Sequence, residues 1–399
     1  MTSGRPTCPL CRAPDAVTVV ELPDLPVHCS LLHGSAEDAR GCGRGDLVLA
    51  WCPACSVLWN MRFDPERIAY GEGYESALDH SPTFRDYADR LARRLAPLAG
   101  GAGGRILEIG CGNGEFLRRM QRETGADAVG VDPSGPVAAP AGLRILRDPD
   151  AWPAEAAGSD LVVFRHVLEH VASPLDFLAR LRGALEGRPG AAVYCEVPNG
   201  AYLVAAGFLW DVIYEHVFYF TPLALRRLFR AAGFAVRSIE EAFGRQFLGL
   251  IAEPDGRPAA GPFPAQEVGE DVRSAVLAFG KAYGTAVPAW RERCRRWRLD
   301  GRRVVLWGAG SKGATFLNLV DPGGGAIACA VDVNPRKQGH FIPGTGHRIV
   351  APELLAEIDP HIVLVTNPVY REEIGRFVAG LGISARLVAV GADPAENGP

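Results

Sequence analysis

Residues 105–116 read Arg-Ile-Leu-Glu-Ile-Gly-Cys-Gly-Asn-Gly-Glu-Phe, and no other stretch restricts the fold so tightly. Ile106, Leu107 and Ile109 form the short apolar run that a buried strand needs. Gly110, Gly112 and Gly114 interrupt it, and residues 115–124 then carry helical spacing up to Gly125. Three alternate glycines between a strand and a helix open a βαβ unit, because backbone without Cβ atoms can turn sharply and approach a ligand closely. Strand and helix signals alternate from there: 128–132, 160–164 and 191–199 as strands, with an amphipathic helix over 173–187. That alternation predicts an α/β fold, a parallel sheet with helices on both faces.

At 399 residues the chain exceeds the size at which one core stops growing, so two or three domains are expected. Six of its ten cysteines fall in the first 55 residues, and Cys111, Cys195, Cys294 and Cys329 are scattered singly. Cys8-Pro-Leu-Cys11 and Cys52-Pro-Ala-Cys55 are two C-x2-C knuckles with 40 residues between them. Each lets two thiolates point to one side of a turn, and two together complete a closed four-sulfur zinc site of structural type. Residues 1–65 are thus expected to be a small zinc-binding module. His28, Cys29 and Cys42 read as packing or surface residues. A net charge of −4 and no run of 18 apolar residues give no footprint for nucleic acid or membrane. The expectation is a cytoplasmic protein, monomer or weak homodimer, acting on a small molecule.

The turn at 110–114 is G-x-G-x-G, one residue tighter than a dinucleotide turn, and Glu108 precedes its first glycine by two positions. Asp132 ends the next strand, eighteen residues after Gly114, where it is placed to bind ribose hydroxyls. These residues resemble the motif set of class I S-adenosylmethionine-dependent methyltransferases. The resemblance implies a cofactor site of Glu108, Gly110, Cys111, Gly112, Asn113, Gly114 and Asp132, with Arg165 and His166 closing over it.

Tyr214-Glu215-His216 lie side by side in an aromatic segment ending Val-Phe-Tyr-Phe. An aromatic surround desolvates an imidazole or carboxylate and moves its pKa, which suits a general base. The whole chain, through its knuckles, residues 108–116, His166-Val-Leu-Glu-His-Val, residues 214–220 and residues 331–353, is similar to the bacterial sugar C-methyltransferases acting on nucleotide-linked deoxysugars. Those enzymes combine a zinc module, a class I cofactor domain and a Rossmann-like C-terminal domain. The resemblance implies proton removal beside a ketone and attack of the enolate on the cofactor methyl. His216 is then base or enolate stabiliser, Glu215 its orienter, and Tyr214, His170 and Tyr74 are supporting candidates. This chain departs from the family at Ile213-Tyr214, where those enzymes carry Tyr-His.

Residues 66–265 are assigned to the methyltransferase domain, and 266–399 to a helical linker plus a smaller Rossmann-like domain. The latter opens with Gly308-Ala-Gly310-Ser-Lys312-Gly313 after an apolar strand, with Asp332 nineteen residues beyond. Its helix N-terminus and Lys312 suit a substrate phosphate, and Gln246 is placed with them as substrate-binding. The rival expectations are O- or N-methylation of a natural-product intermediate, and a non-catalytic cofactor-binding regulator.

Overall fold

A computed structural model describes residues 6–71, 73–136, 139–255 and 269–391. The expected boundary at 265/266 lies outside the described residues. Three sheets organise the chain. The first is antiparallel and four-stranded: Val17–Pro26, Arg44–Trp51, Leu58–Asn60 and Phe218–Tyr219. Its last strand comes from the middle of the sequence, so the N-terminal module borrows a strand to close its sheet.

The second sheet has seven strands, in the order Phe234–Ala242, Phe247–Pro254, Ala192–Pro198, Leu161–Arg165, Arg105–Ile109, Asp127–Val131 and Arg144–Leu146. Only Phe247–Pro254 runs against the others. The central strands are almost wholly buried and read as continuous apolar runs, as a sheet covered on both faces requires. Helix Glu115–Thr124 stops at Gly125, which takes a left-handed φ of 70°. Helix Pro82–Leu95 starts with proline at its first turn and a Ser81 cap whose hydroxyl accepts from the Phe84 amide.

Arg105–Ile109 pairs with Asp127–Val131 on one side and Leu161–Arg165 on the other. The order of connections reverses there, and the crevice beyond such a switch point is where open α/β sheets bind ligands. The third sheet repeats the device. Its five parallel strands run Ile349–Val350, Ala330–Val331, Val304–Trp307, Ile362–Val365 and Arg386–Ala389, with the second glycine turn at the switch point. The expected helical stretch is one helix, Glu270–Leu299, whose Phe279, Tyr283 and Trp290 are buried. Gly280 lies so close to the Val19 carbonyl that a Cβ would sit 2.1 Å from its oxygen, and the Trp290 indole donates to the Gly391 carbonyl at 2.9 Å. This helix therefore ties the first sheet to the third. No helix among the described residues is long and apolar enough to cross a membrane.

Candidate active site and thiolate cluster

The two knuckles fold alike. Cys8 N–H donates to the Ala13 carbonyl and Arg12 N–H to Cys8; likewise Cys52 N–H donates to Val57 and Ser56 N–H to Cys52. Arg12 and Ser56 each take a left-handed φ, 60° and 65°. The four Sγ atoms lie within 4.8 Å of one another, with Cys8–Cys55 at 3.6 Å and Cys11–Cys52 at 3.5 Å. A disulfide needs about 2.05 Å. Four sulfurs at about 2.3 Å from one tetrahedral ion stand about 3.8 Å apart, so the set fits a zinc-sized ion.

The glycine turn, the segment 74–81 and the second glycine turn face a common cavity of about 670 Å³, within the range of small-molecule sites. Gly110, Gly112 and Gly114 all have positive φ. A Cβ on Gly110 would stand 2.3 Å from Val167 Cγ2, whereas one on Gly112 meets open space. Asn113 Oδ1 accepts from the Glu115 amide, and Cys111 is buried with its sulfur against Gly130. Asp132 accepts from Gly112 N–H at 2.7 Å and from Ser134 N–H and Oγ–H at 2.8 and 2.6 Å. These contacts aim the carboxylate at the glycine turn, and the Ser134 hydroxyl can rotate away to yield its place to a ligand hydroxyl.

Glu108 is buried, and its Oε2 has no hydrogen-bond partner among the described residues. Burial pushes its carboxyl up to about 8, with Arg165 pulling the other way. An acceptor left bare beside an open turn is what a cationic, methionine-derived cofactor would complement. Arg165 donates to Glu196 Oε1 at 2.9 Å and lies over the Phe116 ring at 4.3 Å. Glu196 also accepts from the Tyr87 and Tyr194 hydroxyls. Burial works against its charge, yet Arg165 and His166 hold it down at about 2. Glu196 carries no local motif, and sequence reasoning missed it. His166 takes a left-handed φ of 54°, strain of a kind that collects at active sites.

Across the cavity Glu215 is almost fully buried. It accepts from Cys29 N–H at 3.1 Å and from the Tyr74 hydroxyl at 3.0 Å, with His28 Nδ1 3.7 Å away. Burial raises its pKa, but His28, His170 and the Cys29 amide outweigh this and hold it below the usual range. The Tyr70 hydroxyl stands 2.8 Å from His170 Nδ1. His170 and His216 meet edge-on at 4.9 Å, and burial with neighbouring cations keeps His216 well below its ordinary pKa. The structure therefore brings together four of the five expected catalytic side chains, Tyr74, His170, Glu215 and His216, and adds His28 and Tyr70.

One expected residue lies elsewhere, and two more line the cavity with polar partners already in place. Tyr214 turns away from the cavity: its hydroxyl accepts from Asp64 N–H and donates to the Arg62 carbonyl, and its ring packs on Gly45. Gln246 lines the cavity, but both ends of its amide are engaged by Asn367, at 2.8 and 3.0 Å. That pair ties the second sheet's domain to the third and commits one N–H and one lone pair of the amide. Lys312 lines the cavity too, with its charge matched by Asp211 at 2.8 Å, so a phosphate there would compete with that pair. His28, read as packing or surface, is buried against the rings of Tyr70 and Tyr74, with its Nδ1 3.7 Å from Glu215 Oε2.

A methyltransferase domain family matches residues 80–239, and the C-methyltransferase C-terminal domain family matches residues 271–381. The C-methyltransferase NovU of Streptomyces niveus is 24% identical over 387 residues, 92% of this chain and 90% of that one. A ubiquinone biosynthesis O-methyltransferase of Roseobacter denitrificans is 38% identical over 122 residues, 28% of this chain and 48% of its own. A tRNA U34 carboxymethyltransferase of Trichlorobacter lovleyi is 39% identical over 120 residues, 27% and 35%. The chain spans less than half of these last two. With the cofactor turn at the switch point of its seven-stranded sheet, the chain carries a methyltransferase domain followed by the C-terminal domain of the C-methyltransferases, the make-up of an S-adenosylmethionine-dependent methyltransferase.

Proposed function

We propose that the protein methylates a carbon next to the carbonyl of a nucleotide-linked keto-deoxysugar or a related biosynthetic intermediate, and that its four-cysteine cluster holds one structural zinc ion. The carrying observation is the group of buried Glu215 and His216 with half-buried His170, lining one cavity with the glycine turn. S-adenosylmethionine supplies an electrophilic methyl when bound, with Glu108, Gly110–Gly114 and Asp132 holding it. The protein's own work is to orient the acceptor, remove a proton and exclude water. His216 is neutral at working pH, and its Nδ1 has no hydrogen-bond partner among the described residues. That leaves it free to take the proton or to hold the enolate oxygen. Glu215 braces His170 through its carbonyl and fixes Tyr74 through its carboxylate. The second glycine turn lines the same cavity, which suits an extended, diphosphate-bearing acceptor held by both domains. The likeness to NovU over nearly the whole chain supports carbon as the acceptor atom. Exchange of the acceptor's α-hydrogen with solvent deuterium, without cofactor, is the expected result. No exchange with any keto-sugar nucleotide, while methyl transfer to an oxygen or nitrogen acceptor proceeds, would overturn the assignment.

A further inference from the structure

One buried carboxyl group in the cavity makes no hydrogen bond among the described residues. Glu169 is 1% exposed, and neither carboxylate oxygen has a hydrogen-bond partner among the described residues. Its nearest potential cation is His166 Nδ1, 3.4 Å from Oε1, and His166 also faces Glu196 at 3.4 Å. Two buried carboxyls thus share His166, Glu196 having Arg165 as well, and the lone pairs of Glu169 stay open to a further electrophilic partner. Two imidazoles stand beside Glu169. Glu169, His170 and His216 each offer one donor atom, and the three donors lie within 4.8 Å of one another.

The histidines are prepared for the same partner. His170 Nδ1 is 3.1 Å from the Glu215 carbonyl oxygen, which can only accept. The Tyr70 hydroxyl lies 2.8 Å from the same nitrogen, so two partners at Nδ1 fix the ring and leave Nε2 as the nitrogen without one. Partners of this kind orient metal-ligating histidines. His216 Nδ1 is buried and unpartnered. Backbone contacts hold the three in register: Val217 N–H donates to the Glu169 carbonyl at 2.8 Å.

We infer that Glu169, His170 and His216 form a second metal site, for a divalent first-row transition ion, inside the methyl-transfer cavity. Two imidazoles and one carboxylate are the donor set such ions favour when coordination positions are left open. All three residues line the cavity, so the open positions face the acceptor. The ligand class that fills them is a pair of neighbouring oxygens, a ketone and an adjacent hydroxyl, chelating through both. The inference deepens the proposed function at one point and rests on it only there: with an ion bound, His216 acts through the metal on the acceptor's oxygen and not as a free base. The site is distinct from the thiolate cluster in chemistry, since four thiolates favour zinc and discriminate against Mn²⁺.

The test titrates Mn²⁺ and Co²⁺ into the zinc-replete full-length protein. Binding is read by metal content after gel filtration and by the immobilised Mn²⁺ resonance. The expected result is one further ion per chain, with affinity reduced at least a hundredfold in Glu169→Gln and in His170→Asn while zinc content and thermal midpoint are retained. Tyr70→Phe, which loosens His170 without removing a ligand, should weaken binding about tenfold. Uptake of no ion beyond the zinc in the wild-type protein would overturn the inference, needing no variant to fold. Equal uptake by wild type and Glu169→Gln would overturn it too. The acceptor assignment fails separately: an ion that binds without any α-hydrogen exchange refutes the keto-sugar, whereas exchange undiminished by complete removal of the second ion refutes the metal's role.

Discussion

Glu108 gives the sharpest quantitative handle on the cofactor site. Its carboxyl stands at about 8 in the folded, cofactor-free protein, with burial the principal cause; in an unfolded chain it titrates near the ordinary value of about 4.3. Between those values the native state holds a proton that the unfolded chain has lost. This group's contribution to stability is therefore full below about pH 4.3 and is lost as pH rises toward 8. A bound cofactor brings positive charge to the turn, which favours the carboxylate. At pH 7 a group of pKa about 8 is about 90% protonated, so cofactor binding should expel about 0.9 proton. Affinity should rise about eightfold between pH 6.5 and 7.5 and level off above pH 8. Titration calorimetry in two buffers of different ionisation enthalpy measures the proton directly. Glu108→Gln, which cannot ionise, subtracts every other group's contribution, including the ligand's own. Equal proton release by wild type and Glu108→Gln, or affinity flat from pH 6 to 9, would refute the assignment of this carboxyl to the cofactor.

Four further outcomes are expected. Gly110→Ala places a methyl 2.3 Å from Val167 at φ 72°; with about 1–2 kcal/mol of left-handed strain alone, equilibrium dialysis should give cofactor affinity at least tenfold weaker. Cys52→Ser should remove the zinc and lower the thermal midpoint by ten degrees or more, because the metal supplies folding energy to a module of this size; stoichiometric zinc in that variant would contradict four-sulfur ligation. Tyr74→Phe removes the 3.0 Å hydrogen bond to Glu215 and should lower kcat tenfold or more with cofactor affinity unchanged. Tyr214→Phe, whose hydroxyl meets only backbone at 62 and 64, should keep kcat within twofold; a hundredfold loss would restore it to the catalytic group.

The elements were legible wherever local rules decide them. The strand at 105–109, its glycines and the helix ending at Gly125 follow from apolar spacing and from backbone angles only glycine adopts cheaply. The long helix Glu270–Leu299 was readable for the same reason, and the knuckles because C-x2-C is itself a local geometry. Tyr214 misled because adjacency in sequence is not adjacency in space. It lies beside Glu215 in the chain, yet its ring points into the first sheet while Glu215 and His216 point into the cavity. His28 read only as packing or surface, and Tyr70 carried no assignment, since nothing in their sequence neighbours marks their contacts with Glu215 and His170.

What the sequence by itself determined is the cofactor class and the thiolate cluster, both written in short motifs whose spacing is their geometry. What only the tertiary structure decided is the acceptor side of the cavity. Glu215 meets Cys29 across 186 positions and Tyr74 across 141, and Phe218–Tyr219 completes a sheet begun at Val17. Those meetings are set by which faces pack together in three dimensions, and a buried carboxylate or imidazole takes its chemistry from the partners that packing delivers.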